Sequence, residues 1–188
     1  MVSSAVYRYV QSRDDLLTLL VVDAYTELAD AVAAASAGLP WRDRVRAIAH
    51  AVRGWAVEQP ARWALLYGSP VPGYHAPAER TVGPGTRVVG ELFAALADGI
   101  AAGEVEQGND RVAQPLSSDF DRIRTEFGFS GDDAVVARCF ALWATLVGAV
   151  SLEVFGQYGA DTLTDPRQIF DLQVGLLIDA VAPPKSAS

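Results

Sequence analysis

The sequence predicts an all-α fold, and three observations predict it. Apolar residues recur at helical spacing in one segment after another. Capping and breaking residues punctuate those segments. No strand-length alternation of apolar and polar residues competes anywhere in the 188 residues. The first element is short. Ser3-Ser4-Ala5-Val6-Tyr7-Arg8-Tyr9-Val10 makes about two helical turns, with Val6 and Val10 four apart on one face. Ser12-Arg13-Asp14-Asp15 then supplies a helix start, with Ser12 as N-cap and an acid three residues later completing a capping box.

The long helix that follows is expected from Arg13 to Ser36, closed by Gly38 and Pro40; Leu16, Leu17, Leu20, Tyr25, Leu28, Ala29 and Val32 form its apolar face. Trp41, Val45, Ile48, Val52 and Trp55 recur at helical spacing and predict a second helix over Trp41–Glu58. Pro60 suits the first turn of a short helix to about Tyr67, after which the run from Gly68 to Pro77 breaks regular structure repeatedly. A helix is expected to resume near Pro84 and reach about Ala102, with Val88, Leu92, Phe93, Leu96 and Ile100 inward. Gly103 to Pro115 reads as a polar loop, and Ser118 as the cap of a short helix ending at Gly128. Ser130-Gly131-Asp132-Asp133 reads as a capping box opening a helix to about Tyr158. Asp165-Pro166 places an N-cap and a first-turn proline before a last helix ending near Val181.

Composition narrows the function. Half of the residues are hydrophobic and the mean hydropathy is +0.18, which excludes a disordered chain. A formal charge of −8 argues against a protein that coats nucleic acid over its whole surface, but leaves local contact open at Arg8 and Arg13. The single cysteine, Cys139, excludes an internal disulfide and fits a reducing cytoplasm. No signal peptide precedes the first helices, and the charge-free apolar run Cys139–Leu152 is shorter than the ~20 residues that span a bilayer. A cytoplasmic protein without a membrane partner is the expectation. Two histidines and one cysteine, far apart in sequence, have no metal-ligand spacing, and no glycine-rich phosphate loop follows a strand. Neither an enzyme nor a cofactor is expected.

Val2, Ser3, Val6, Tyr7, Tyr9, Val10, Ser12, Arg13, Asp14 and Leu16 resemble the recognition helix and next-helix start of the TetR family of transcriptional regulators. There the pattern runs Val-Ser-x-x-x-Leu/Val-Tyr-x-His/Tyr-Phe/Val-x-Ser-Lys/Arg-Asp/Glu-x-Leu. The resemblance continues along the chain, to the branch of effector domains known for a Trp-His-Gly motif. Trp55-Ala56 is followed by Pro60, Arg62, Trp63, Leu65, Leu66, Tyr67, Gly68, Pro70, Val71, Pro72, Gly73 and Tyr74, and later by Trp143, Leu146, Gly148, Ser151, Leu152, Glu153, Phe155 and Gly156. Val147 stands where that motif has its histidine. The resemblance implies that Met1 is internal to a longer ancestor whose first two helices buttress the recognition helix.

It implies a TetR-like division. Residues 1–12 would be the remnant of a helix-turn-helix, 13–36 a connecting helix, 37–182 an effector-binding and dimerisation domain, and 183–188 a disordered tail. Tyr7, Tyr9 and Arg13 would hold phosphates, and Ser3, Ser4 and Arg8 would face base edges of operator DNA. Trp55, Trp63, Tyr67, Phe93, Phe140 and Trp143 are the expected wall of an effector pocket, although each alone reads equally as core. Val136, Phe140, Val147, Val150 and Val154 on one helix, with Ile169, Leu172, Leu176 and Leu177 on the next, exceed what one subunit needs, and the resemblance implies a two-fold homodimer built from these helices. The function so implied is a regulator, in the repressor sense, released from its operator by a small apolar or aromatic effector. The alternative is a small-molecule-binding helical dimer that lacks DNA binding because its helix-turn-helix is incomplete.

Overall fold

The computed structural model describes residue 10, residues 12–108 and residues 111–182. Among these residues there are seven helices and no strand: α1 (Arg13–Ser36), α2 (Trp41–Glu58), α3 (Pro60–Tyr67), α4 (Ala78–Ala101), α5 (Leu116–Phe127), α6 (Asp133–Val154) and α7 (Pro166–Val181). The expected recognition helix and the expected tail at 183–188 lie outside the described residues.

Capping chemistry sets most of the boundaries. The Ser12 hydroxyl oxygen accepts from the Asp15 amide at 3.0 Å and donates to the Asp15 carboxylate at 2.9 Å, closing the first turn of α1. The Asp165 carboxylate accepts from the Arg167 amide at 2.9 Å, with Pro166 in the first turn of α7. Glycines with left-handed backbone follow α1 at Gly38 (φ 72°), α5 at Gly128 (φ 60°) and α6 at Gly156 (φ 66°).

Four boundaries differ from expectation. Helix α4 starts at Ala78, a turn and a half before Pro84, and carries that proline inside. The lost backbone bond is tolerated because the helix buries Thr81, Val88, Leu92, Phe93, Ala95 and Leu96. Helix α5 starts at Leu116 behind Pro115, and Ser118 lies within it, its hydroxyl donating to the Gln114 side chain at 2.9 Å. Helix α6 is capped by Asp132, whose carboxylate accepts from the Val135 amide at 2.8 Å, and not by Ser130; the helix stops at Val154, short of Tyr158. The 103–115 loop is not wholly polar. Val105 is buried, and a side chain at Gly99 would meet it at 2.6 Å and Trp41 at 3.0 Å, so this approach requires glycine.

Helix α2 is the hub, packing on α1, α3, α4, α6 and α7. Its stripe of Trp41, Val45, Ile48, Val52 and Trp55 is buried, as the spacing predicts. Its arginines tie it to its neighbours. Arg53 forks onto Glu153 of α6 at 2.7 and 2.5 Å, and Arg44 bridges Glu91 at 2.8 Å and Asp98 at 2.7 Å on α4. Helix α1 lies across α2 and α4 and touches α3, burying Val21, Ala24, Leu28, Ala29 and Val32. Leu20, expected inward, is 44% exposed beside Leu19 at 45%.

Candidate functional site

Helices α1, α3 and α4 and the loop between α3 and α4 enclose an open cleft of about 360 Å³. Val21 and Tyr25 come from α1, Leu65 and Leu66 from α3, Tyr74 and Ala76 from the loop, and Thr81, Val82, Gly85 and Thr86 from α4. The wall is apolar surface with four hydroxyls, and it contains no charged side chain. Gly85 keeps it open towards Tyr25, whose ring a side chain there would touch at 3.4 Å.

Two of its hydroxyls already work in the backbone. Thr81 donates to the Pro77 carbonyl and Thr86 to the Val82 carbonyl, each at 3.0 Å. Tyr25 has no hydrogen-bond partner among the described residues, and burial pushes its phenol above the ordinary tyrosine range. Tyr74 lies 3.0 Å from the buried Thr18 hydroxyl of α1, and Thr18 spends its own proton on the Asp14 carbonyl at 2.8 Å. The Tyr74 phenol is therefore the donor, and the chain runs Tyr74 to Thr18 to Asp14, into the first turn of α1.

The six aromatic residues expected to wall one pocket fall into separate groups, and none of them lines this cleft. Trp63, Tyr67 and Trp143 stack behind it: Tyr67 is 4.4 Å from Trp63, 5.9 Å from Trp143 and 6.3 Å edge-on to Tyr25 (ring centroids). Trp63 is fully buried and donates its indole N–H to the Ser151 hydroxyl at 3.1 Å. Burial, with Tyr25 second, raises the Tyr67 phenol far above its ordinary value. Trp55 is core, its indole N–H donating to Glu27 at 3.1 Å. Phe93 belongs to a different cluster, stacked 5.0 Å from Phe127 and tilted 4.9 Å from Phe129. Phe140 is 44% exposed and lines a second, shallower apolar hollow of about 350 Å³ with Leu116, Phe120 and Ile123. The bulk of these side chains made them visible in the sequence. The cleft is lined by smaller and hydroxylated residues, whose only signal was the Pro-Val-Pro-Gly-Tyr run ending at Tyr74.

The residues expected at a subunit interface also divide. Val150 is fully buried within its own chain, and so is Val136. Val147 and Val154 pack against the same core, and Ile169 is half-buried. Leu172 and Leu176 stand 65% and 71% exposed, the most exposed large apolar side chains described. Beside them α6 exposes Ala137, Ala141, Ala144, Gly148 and Leu152. The exposed face of α6 thus carries its small residues, while Val136 and Val150 face the core. By length and composition alone, α6 is apolar enough to cross a membrane. Its other face, with Val135, Cys139, Leu142 and Leu146, is the protein's core.

Elsewhere the chemistry is structural. Buried Asp133 accepts from the Val112 amide at 2.8 Å and pairs with Arg124 and, at 3.8 Å, with Arg111. These contacts, the amide foremost, hold its carboxyl below the ordinary range. His50 lies 3.4 Å from Asp171 on the surface, and His75 is exposed. Burial pushes the Cys139 thiol up to about 12. No group of three potential metal ligands occurs among the described residues. Of the residues expected at DNA, Ser3, Ser4, Tyr7, Arg8 and Tyr9 lie outside the described residues, and Arg13 is exposed as the first residue of α1.

Comparison with known proteins agrees with this architecture. Residues 45–177 match the family described as "Tetracyclin repressor-like, C-terminal domain". The chain is 65% identical over 185 residues to the HTH-type transcriptional regulator Rv1816 of Mycobacterium tuberculosis, covering 97% of this chain and 79% of that protein. The same values hold for the HTH-type transcriptional regulator Mb1846 of Mycobacterium bovis. The crystal structure of SCO4313 superposes with a TM-score of 0.71 at 30% identity, covering 94% of this chain and 79% of that one. A bacterial regulatory protein in the tetR family from Rhodococcus RHA1 shares the fold, with a TM-score of 0.59 at 18% identity, covering 97% and 80% of the two chains.

Proposed function

The chain belongs to the TetR family of HTH-type transcriptional regulators, and on that footing we propose that it is a cytoplasmic, ligand-responsive repressor and not an enzyme. A small apolar or aromatic effector enters the cleft between α1, α3 and α4 of each subunit. The aromatic stack of Trp63, Tyr67 and Trp143 is the cleft's rigid backing. Ser3, Ser4 and Arg8 read base edges in the operator, while Tyr7, Tyr9 and Arg13 hold phosphates. Two copies pair through α6 and α7, around Leu172 and Leu176, so that two recognition helices meet two half-sites together.

The observation that carries this reading is that the cleft's wall includes α1, the helix that follows the proposed recognition segment in the sequence. A ligand pressed against Val21 and Tyr25 therefore bears on the element whose tilt sets the spacing of the two reading heads. Effector that favours one tilt shifts the population towards it, by no more than its differential affinity for the two states.

The test is operator binding by the full-length protein, with an effector found by screening apolar and aromatic compounds for thermal stabilisation. Operator affinity is expected to fall about five- to 150-fold on saturation, the usual range of coupling between sites. Unchanged affinity with effector demonstrably bound would defeat the proposal.

A further inference from the structure

We infer that Tyr74 is the switch through which the cleft reads its ligand, and that the ligand is an uncharged apolar molecule carrying a hydrogen-bond acceptor. The inference rests on the cleft being the effector site. The wall offers no cation to a carboxylate and no carboxylate to an amine, so a charged ligand would be desolvated without compensation. It does offer phenols. Tyr74 lines the cleft and also donates to Thr18, and a phenol has one proton. A ligand carbonyl or ether oxygen that takes this proton takes it from Thr18.

The consequence falls on α1. Thr18 is 2% exposed and its own proton is held by the Asp14 carbonyl, so nothing replaces the lost donor. Tyr74 then no longer fastens the α3–α4 loop to the first turns of α1, the part of that helix nearest in sequence to the proposed recognition segment. An apolar ligand without an acceptor fills the same space and leaves the fastening intact. Size decides whether a molecule binds, and the acceptor decides whether the protein responds.

The rival donor is Tyr25, which also lines the cleft and whose hydroxyl has no hydrogen-bond partner among the described residues. Two probes of similar shape separate these possibilities in the full-length protein: 4-phenyl-2-butanone, which has an acceptor, and butylbenzene, which has none. Calorimetry gives affinity, and hydrogen exchange of the segment 13–18 reports the fastening. Tyr74→Phe is expected to leave both affinities within about threefold, because the ketone's bond to Tyr74 replaces the one to Thr18 and either arrangement leaves one buried acceptor unmet. The ketone is expected to speed exchange in the wild type, butylbenzene to leave it unchanged. In Tyr74→Phe exchange starts fast and the ketone adds nothing. Ketone affinity that falls with Tyr25→Phe overturns the inference, as does exchange that ignores the ketone. Failure of the underlying reading looks different. Both probes then fail to bind at millimolar concentration, or both bind regardless of Thr86→Phe, a substitution that fills the cleft from α4.

Discussion

Asp133 shows how a single side chain can hold a loop, a helix end and a helix start together. Its carboxylate gathers the Val112 amide and Arg111 from the loop before α5 and Arg124 from the last turn of α5 itself. Since its folded value is depressed below the ordinary 3.8, its contribution is fully present above that pH and is lost as pH falls through the folded value. Asp133→Asn should therefore lower the melting temperature clearly at pH 7, and the gap to wild type should narrow as pH falls below 3.8 through the folded value. A gap independent of pH would mean that shape and not charge makes the contact. Cys139 bears on a different question. With its thiol buried and raised to about 12, it should resist alkylation in the folded protein at pH 8 and react fully in denaturant, which mass spectrometry resolves directly. At this scale the sequence was least legible. Large aromatic residues stand out in a sequence whether they face a cleft or the core, and Trp55 and Phe93 are buried in the core. Thr18, Tyr25, Tyr74 and Thr86 owe their position to the crossing of α1 over α4, a long-range fact that local spacing does not carry.

Whole elements were far more legible, because their signals are local. The bounds of α1, α2 and α3 follow from a serine cap, a buried stripe at helical spacing and a first-turn proline, all readable within a few residues. The misjudged boundaries are those where tertiary contacts overrule the local signal. Pro84 reads as a helix start, yet packing against α1 and α2 carries α4 through it. The box at Ser130 reads as a cap, yet Asp133 is recruited by Arg124 and the cap falls to Asp132. Two predictions belong to this scale. Ser12→Ala should cost about 1 kcal/mol in chemical denaturation and raise hydrogen exchange at the start of α1 ahead of the rest of the chain. Arg53→Ala leaves Glu153 14% exposed and unpaired between α2 and α6. It should destabilise more than the double substitution Arg53→Ala with Glu153→Ala, an ordering that a thermal-unfolding cycle checks.

At the scale of the molecule, the described chain is a core of helices around α2 with one apolar seam left uncovered. Excess hydrophobicity in α6 and α7 was legible in the sequence, but which of those side chains stay exposed in the single chain was not. Valines at helical spacing suit a core and an interface equally, and the core took Val150. Replacing Leu172 and Leu176 together by Asp should leave a folded protein of half the native mass in sedimentation, since both side chains are already exposed in the single chain. Gly148 lies on the same seam, and a side chain there would meet nothing within 4 Å. In one chain it is thus an interior helical glycine with no local reason to be glycine, and Gly148→Ala should strengthen the isolated helix by about 0.5–1 kcal/mol. In a pair that approaches closely at this point, the same methyl group would wedge the helices apart. The substitution would then carry opposite signs, raising the resistance of the dissociated chain to denaturant while raising the concentration at which copies separate. A mutational survey scored on folding alone would record it as an improvement, and one scored on regulation would record it as damage.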